Sequence, residues 1–220
     1  MEVISKVQNK ILGLFGEVLE SEHFYLTGGT ALAEFYLKHR KSDDLDFFTA
    51  TEELIIPFSN RLEEMLRTKG MDVQRKRGLH SFVELLVRAH EETTVVHLAE
   101  DTPFRFEHPK RFPEYPRLRV DSLVDISSNK LLALFSRATL RDFIDIYVLV
   151  KKGLFTPEKL IESAKVKDSG FDLYWLGVAF ERIKTFKDDS SEMLLLVEPI
   201  KFHEVLLFFN QWREKIAEEL

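Results

Sequence analysis

The alternation of apolar and polar positions divides the chain into two halves of different character. Residues 2–19 place Val3, Ile4, Val7, Ile11, Leu12, Phe15, Val18 and Leu19 at helical spacing, the stripe of an amphipathic helix. A short apolar run, Phe24-Tyr-Leu26, predicts a buried strand that ends at Thr27-Gly28-Gly29. The Ala- and Leu-rich stretch from Thr30 to Lys38 predicts a helix, and Leu45 to Phe48 a second strand. Thr49 followed by Glu52 has the form of a capping box, which predicts a helix running to about Thr68, with Gly70 closing it. Strand-like runs follow at 71–76, 82–87 and 93–98, and the prolines at 103, 109, 113 and 116 predict an irregular connection over 101–119.

Beyond Pro116 the spacing is helical throughout. Ser122 and Asp125 form a second capping box, opening a helix to about Arg137, and Leu140 to Lys151 continues as another, closed by Gly153. Thr156-Pro157-Glu158 sets a capping residue before a proline at the first helical position. Residues 171–184 and 202–218 are two further helices. The expected fold class is α/β (α+β): a mixed-sheet half over 1–120 and an all-helical half over 121–220, with no internal repeat and no low-complexity linker.

Composition narrows the setting. A chain of 220 residues can bury a proper core. The absence of cysteine excludes disulfides, thiolate zinc sites and cysteine nucleophiles, and suits a reducing cytoplasm. The N-terminus lacks the apolar core of a signal peptide, and the longest apolar runs, Met193 to Val197 and Val205 to Phe209, are too short to span a bilayer. A cytoplasmic protein without a membrane partner is expected. A net charge of −6 argues against a general nucleic-acid coat. It leaves room for local basic faces: Arg105, Lys110, Arg111, Arg117 and Arg119 in one stretch, and Arg75-Lys-Arg77 in another, although solvated loop charge explains either.

Three pieces of the first half carry candidate chemistry. The first strand delivers the chain into Gly28-Gly29, where a missing Cβ lets backbone N–H groups approach a phosphate, and the following helix points its positive end the same way. The second strand presents Asp44 and Asp46. Strand residues two apart share a face, so both carboxylates converge opposite Leu45. Like charges side by side cost stability unless a cation sits between them, and a pair of carboxylates with open positions suits Mg²⁺. A Gly-Gly pair alone is usually a turn, and an Asp-x-Asp alone is often a solvated face. Their order on strand, turn, helix and strand gives the signal its specificity.

Thr27-Gly-Gly-Thr-Ala-Leu32 together with Arg40-Lys-Ser-Asp-Asp-Leu-Asp-Phe-Phe48 resembles the nucleotidyltransferase superfamily that includes DNA polymerase beta and the antibiotic nucleotidyltransferases. A second block, Asp125-Ile-Ser-Ser-Asn-Lys-Leu-Leu-Ala-Leu-Phe-Ser-Arg137 followed by Arg141-Asp-Phe-Ile-Asp-Ile-Tyr147, is similar to the AbiEii/AbiGii toxin family. The resemblance covers about residues 24 to 150. It implies that Gly28, Gly29 and Thr30, with Ser42, cradle a nucleoside triphosphate (NTP), and that Asp44 and Asp46 hold one or two Mg²⁺ (or Mn²⁺) ions. It further implies that Lys130 neutralises phosphate charge. Asp142 would either activate an acceptor hydroxyl or orient Lys130, with Asp145 a structural partner of Arg137 or Arg141. The implied reaction moves a nucleoside monophosphate from NTP to a hydroxyl. The acceptor would be RNA, such as a tRNA 3′ end, in a toxin–antitoxin or phage-defence setting with a cognate antitoxin. Transfer to a small molecule, as in aminoglycoside nucleotidyltransferases, transfer to a protein, and a catalytically degenerate nucleotide-binding module are the alternatives.

The pattern departs from the superfamily at one place. Many members carry a third carboxylate on a later strand, where this chain has His97, a poor hard-oxygen substitute; Glu84 and Glu100 are the neighbouring acids that could replace it. His80, His90 and His97 match no zinc spacing. The aromatic series Phe171, Tyr174, Trp175, Phe180 and Phe208, Phe209, Trp212 is read as core packing rather than a base-stacking platform.

Overall fold

The computed structural model describes residues 2–219, which form two compact units, one ending at Leu123 and the other beginning at Val124. The first unit is built on a seven-stranded mixed sheet. Its strands are β1 (Tyr25–Thr27), β2 (Asp44–Thr49), β3 (Asp72–Leu79), β4 (Phe82–Ala89), β5 (Glu92–Glu100), β6 (Lys110–Phe112) and β7 (Tyr115–Val120), in the order β3-β4-β5-β2-β1-β7-β6. β2 lies centrally, antiparallel to β1 and parallel to β5. Helix α1 (Lys6–Phe15) opens on a capping box between Ser5 and Gln8. Helix α2 (Gly28–Ala31) runs on into a π-helical turn over Leu32–Leu37, and α3 is Ile55–Thr68.

Side-chain alternation decides which face of this sheet is dry. Leu45 and Phe47 of β2, Val96 and Leu98 of β5, and Val83, Leu85 and Val87 of β4 are fully buried. Phe47 stacks on Phe15 of α1 at 3.7 Å between ring centroids, and Phe58 of α3 meets Phe15 at 5.2 Å and Phe24 at 4.1 Å. Both helices therefore pack on the face that carries Leu45 and Phe47. Period-two geometry then sends Asp44, Asp46 and Phe48 to the opposite face.

Two local expectations change. The stretch 101–119 is not wholly irregular: β6 and β7 pair, and β7 adds beside β1 through Leu26 and Val120. The prolines mislead because Pro109 and Pro113 fall just outside β6, where no ladder bond is needed, while Leu118 and Val120 alternate inward. Thr49 does not cap α3. It ends β2, and its hydroxyl accepts from the Thr51 N–H at 3.1 Å, tightening a turn before the helix starts at Ile55.

The second unit is all-helical: α4 (Leu123–Arg137, entering from the last residue of the first unit), α5 (Leu140–Lys151), α6 (Pro157–Lys167), α7 (Leu173–Glu181) and α8 (Phe202–Glu219). Thr156 caps α6 by accepting from the Lys159 N–H, as its sequence predicts. Phe143 of α5, Phe180 of α7 and Phe209 and Trp212 of α8 make an aromatic core with centroids 4.8–5.0 Å apart at the Phe143–Phe209, Phe180–Phe209 and Phe180–Trp212 contacts. Core packing holds for these rings but not for Tyr174 and Trp175, which are 57% and 58% exposed because Leu176 and Phe180 take the inward stripe of α7. Among the described residues no helix is long and apolar enough to cross a membrane.

Candidate active site

Six of the sequence-derived site residues meet in the first unit. Gly28 sits at φ +72°, a left-handed conformation, at the turn from β1 into α2. A Cβ there would drive into the Asp46 carboxylate, with Asp46 Cγ only 3.1 Å away. At Gly29 a Cβ would lie 2.9 Å from Arg40 Nη2 and 3.1 Å from Ser42 Oγ. The glycines therefore let the turn close onto Asp46, Ser42 and Arg40, a packing requirement beyond the room for phosphate that the sequence suggests. The buried Thr30 hydroxyl donates to the Asp44 carbonyl, so this side chain fixes the strand that bears the carboxylates. Ser42 is nearly buried, and its carbonyl accepts from Gln8 Nε2 at 2.9 Å, tying the segment before β2 to α1. Arg40, 1% exposed, is a cation beside Gly29 that the sequence reading quoted but did not single out. Charge and position in a motif carry no signal of burial.

Register explains His97. β2 and β5 run parallel with Asp46 opposite His97, and β4 places Glu84 opposite His97 from the other side. His97 Nδ1 lies 2.8 Å from Asp46 Oδ1, and its Nε2 3.8 Å from Glu84 Oε2. The hydrogen bond to Asp46 raises the imidazole above its ordinary value against the opposing effect of burial, and the charges of Asp46, Asp44 and Glu84 add to the rise. Of the two acids considered as replacements for a third carboxylate, Glu84 is on the site face. Glu100 pairs in register with Thr49 and so belongs to the face of Leu45 and Phe47.

Lys130 and Asp142 come together in the second unit. The Lys130 ammonium lies 2.7 Å from Asp145 Oδ2 and 3.5 Å from Asp142 Oδ1, and both acids are fully buried. Asp142 also accepts two bonds from Arg137, at 2.9 and 3.0 Å, and one from the Thr139 hydroxyl at 2.6 Å. Burial pushes its carboxyl up, but Arg137, Lys130 and Thr139 outweigh burial and hold it below the usual carboxylate range. Both oxygens of Asp142 are thus engaged, by Lys130, Arg137 and Thr139, and Asp145 shares the Lys130 ammonium.

The basic stretch is also reassigned in part. Arg105 is an internal clasp: it bonds Asp101 and Asp121 at 2.6 Å each and lies 3.7 Å over the Tyr25 ring. Asp121 in turn accepts from the Thr27 hydroxyl at 2.9 Å, directly before Gly28. Arg75 of the second cluster is spent on Glu63, Ser59 and Asn60. Lys110, Arg111 and Arg117 on the β6–β7 hairpin remain exposed.

The donor set of Asp44 and Asp46 fits a divalent cation that keeps water and substrate oxygens in its shell, whereas no group of three or more His, Asp or Glu among the described residues forms a ready-made ion cage. A family model for the nucleotidyl transferase AbiEii toxin of type IV toxin–antitoxin systems matches residues 11–84 and 81–220. The chain belongs to the AbiEii nucleotidyltransferase toxin family. It is therefore a nucleotidyltransferase of toxin–antitoxin type. This AbiEii chain is 28% identical over 219 residues to an uncharacterized protein of Aquifex aeolicus (strain VF5), covering 96% of each. In fold it is similar to MenT4, a nucleotidyltransferase toxin of Mycobacterium tuberculosis H37Rv, with a TM-score of 0.64 and 21% identity over 97% of this chain and 82% of that one. It is also similar to JHP933 of Helicobacter pylori, with a TM-score of 0.58 and 19% identity over 99% and 94%. The AbiEii match spans both carboxylate clusters, Asp44 with Asp46 and Asp142 with Asp145.

Proposed function

We propose that this AbiEii chain transfers a nucleoside monophosphate from an NTP to a hydroxyl of RNA, with Mg²⁺ or Mn²⁺ held by Asp44 and Asp46. The observation that carries the reading is the closure of the Gly28-Gly29 turn against Asp46, which sets the carboxylate pair beside backbone suited to phosphate. When bound, the cation polarises the transferring phosphoryl group and stabilises the charge that develops on it. The chain's own residues then have distinct duties. Gly28 and Gly29 admit the triphosphate, Thr30 holds β2 in place from behind, and Ser42 and Arg40 line the turn. In the second unit, Asp142 and Asp145 hold the Lys130 ammonium in place. An RNA acceptor is favoured by the exposed Lys110, Arg111 and Arg117 of the β6–β7 hairpin, whose contribution would weaken steeply with salt.

Purified protein incubated with Mg²⁺, each α-³²P-labelled NTP and total RNA tests the proposal, with Asp44→Ala as control. Label on RNA from the wild type alone is the expected result. Label on a small molecule or on protein, with RNA unlabelled, would refute the acceptor and keep the transferase. Equal labelling by the Asp44→Ala variant would refute the site.

A further inference from the structure

The face of the sheet opposite α1 and α3 carries an apolar row directly beside the carboxylates. Phe48 of β2, Ala99 of β5 and Phe82 of β4 are register partners in turn, and all three are half-buried. Asp46, His97 and Glu84 form the next row of the same face. Neighbouring strands lie about 4.7–4.9 Å apart, so the backbones that bear Phe48 and Phe82 stand roughly 9.5 Å apart, with only the Ala99 methyl between them. Ring carbons meet at about 3.5–4.0 Å, so one planar ring held between two others takes about 7–8 Å. Ala99 is thus the floor of a slot as wide as a stacked nucleobase requires.

The walls of the slot are held in place. Phe48 meets Tyr25 edge-on, with centroids 6.5 Å apart, and Tyr25 is itself buried, its hydroxyl donating to Asp101 at 2.6 Å. Phe82 lies beside the imidazole of His97, with centroids 5.6 Å apart and planes 33° from parallel. Nδ1 of that imidazole is fixed on Asp46 at 2.8 Å.

Position decides which base the slot suits. Gly28 abuts Asp46, whereas Phe48 lies two residues further along β2 and pairs with Tyr25, three residues before the glycine turn. The slot is therefore about 7 Å beyond Asp46, on the side away from the turn. In an in-line displacement the attacking and leaving oxygens stand on opposite sides of the phosphorus. With the triphosphate at Gly28-Gly29, pyrophosphate leaves on the turn side and the attacking hydroxyl comes from the slot side. The row also runs on from Phe82 to Leu79, 62% exposed, and Arg77 in the neighbouring row has a side chain 71% exposed. Apolar surface followed by a cation suits a polynucleotide leaving the slot better than a free nucleotide.

We infer that Phe48 and Phe82, over Ala99, stack the base of the RNA nucleotide that accepts the transferred group, and so govern which RNA is modified. The inference rests on the proposed transfer to RNA and adds where the acceptor lies and what holds it. Steady-state transfer from the α-³²P-labelled NTP that the wild type uses to total RNA tests it, with KM measured separately for RNA and for NTP. Ala99→Val fills the floor with a residue that strands favour, and Phe82→Ala removes a wall. Each should raise KM for RNA roughly tenfold, the loss of one stacking contact, with KM for NTP unchanged. Phe82→Tyr, which keeps the ring, should keep the wild-type value. A rise in KM for NTP alone would overturn the inference by giving the slot to the NTP base. A fall in kcat with both KM values unchanged would overturn it by reducing the row to packing. Where Phe82→Ala melts early, Ala99→Val decides. RNA left unlabelled by the wild type would instead remove the proposed acceptor, and the slot's role with it.

Discussion

Gly28→Ala separates the packing role of the glycine turn from its backbone role. Gly28 and Gly70 both sit in the left-handed region, at φ +72° and +81°. An alanine there costs about 1–2 kcal/mol. At Gly70 a Cβ meets nothing within 4 Å, so the substitution carries that cost alone. At Gly28 the Cβ lies 3.1 Å from Asp46 Cγ and 3.3 Å from its Cβ, against about 3.5–4.0 Å for a comfortable carbon contact. Overpacking of this kind adds about 1–3 kcal/mol. With about 4 °C lost per kcal/mol in a domain of this size, Gly70→Ala should melt about 4–8 °C early and Gly28→Ala distinctly lower. The Asp46 carboxylate must also retreat by several tenths of an ångström to about 1 Å, and a displacement of about 1 Å at a reacting centre lowers the rate about 10²-fold. Thermal melts followed by circular dichroism and transfer of label to total RNA measure the two effects. Gly70→Ala should keep its transfer rate. Equal melting of the two variants with wild-type transfer by Gly28→Ala would refute the argument that this glycine makes room for Asp46.

Further expectations follow from single contacts. Thr30→Val leaves the Asp44 carbonyl without its buried donor and should lose about 1–3 kcal/mol in urea denaturation, largely recovered by Thr30→Ser; a valine variant as stable as the wild type would exclude the role. Lys130→Met removes the cation 2.7 Å from Asp145 and 3.5 Å from Asp142 and should cost about 3–5 kcal/mol, with Asp145→Asn added to it recovering part of the loss; strict additivity of the two changes would count against the pair. Because the Asp142 carboxyl is held low, its contribution to stability is complete above the unfolded value of about 3.9 and is lost as pH falls through the lower folded value. The urea midpoint should therefore drop below about pH 4, and Asp142→Asn should flatten that limb; an identical acid limb in the variant would contradict the assignment. Arg117→Gln should reduce the salt dependence of RNA binding, whereas Arg105→Gln should lower the melting temperature without changing that slope; the reverse pattern would return Arg105 to the RNA-binding surface.

Much of the candidate site could be read directly from the residues because its geometry is local. Asp44 and Asp46 share a face by the period of a strand, whatever packs on it, and Leu45 and Phe47 mark the other face as dry. Gly28 announces a turn because other residues resist its φ. The helices of the second half, with the cap at Thr156, follow from the same short-range stereochemistry. Thr49 shows the limit of such signals: its hydroxyl serves a turn as readily as a helix, and the strand that places it depends on partners elsewhere. The alternating Leu118 and Val120 likewise become a strand because β1 is beside them.

The partners of individual charges were decided at longer range. His97 meets Asp46 across 51 residues of chain and Arg105 meets Tyr25 across 80, pairings set by strand order and register. Arg105 and Arg117 are alike as letters, yet one is clasped by two buried or half-buried acids and the other faces solvent. Lys130 acquires two carboxylates only once α4 and α5 have docked. Backbone periodicity is a property of neighbouring residues, but the desolvation and pairing of a charge depend on what the folded sheet and bundle bring to it, and no local pattern encodes that.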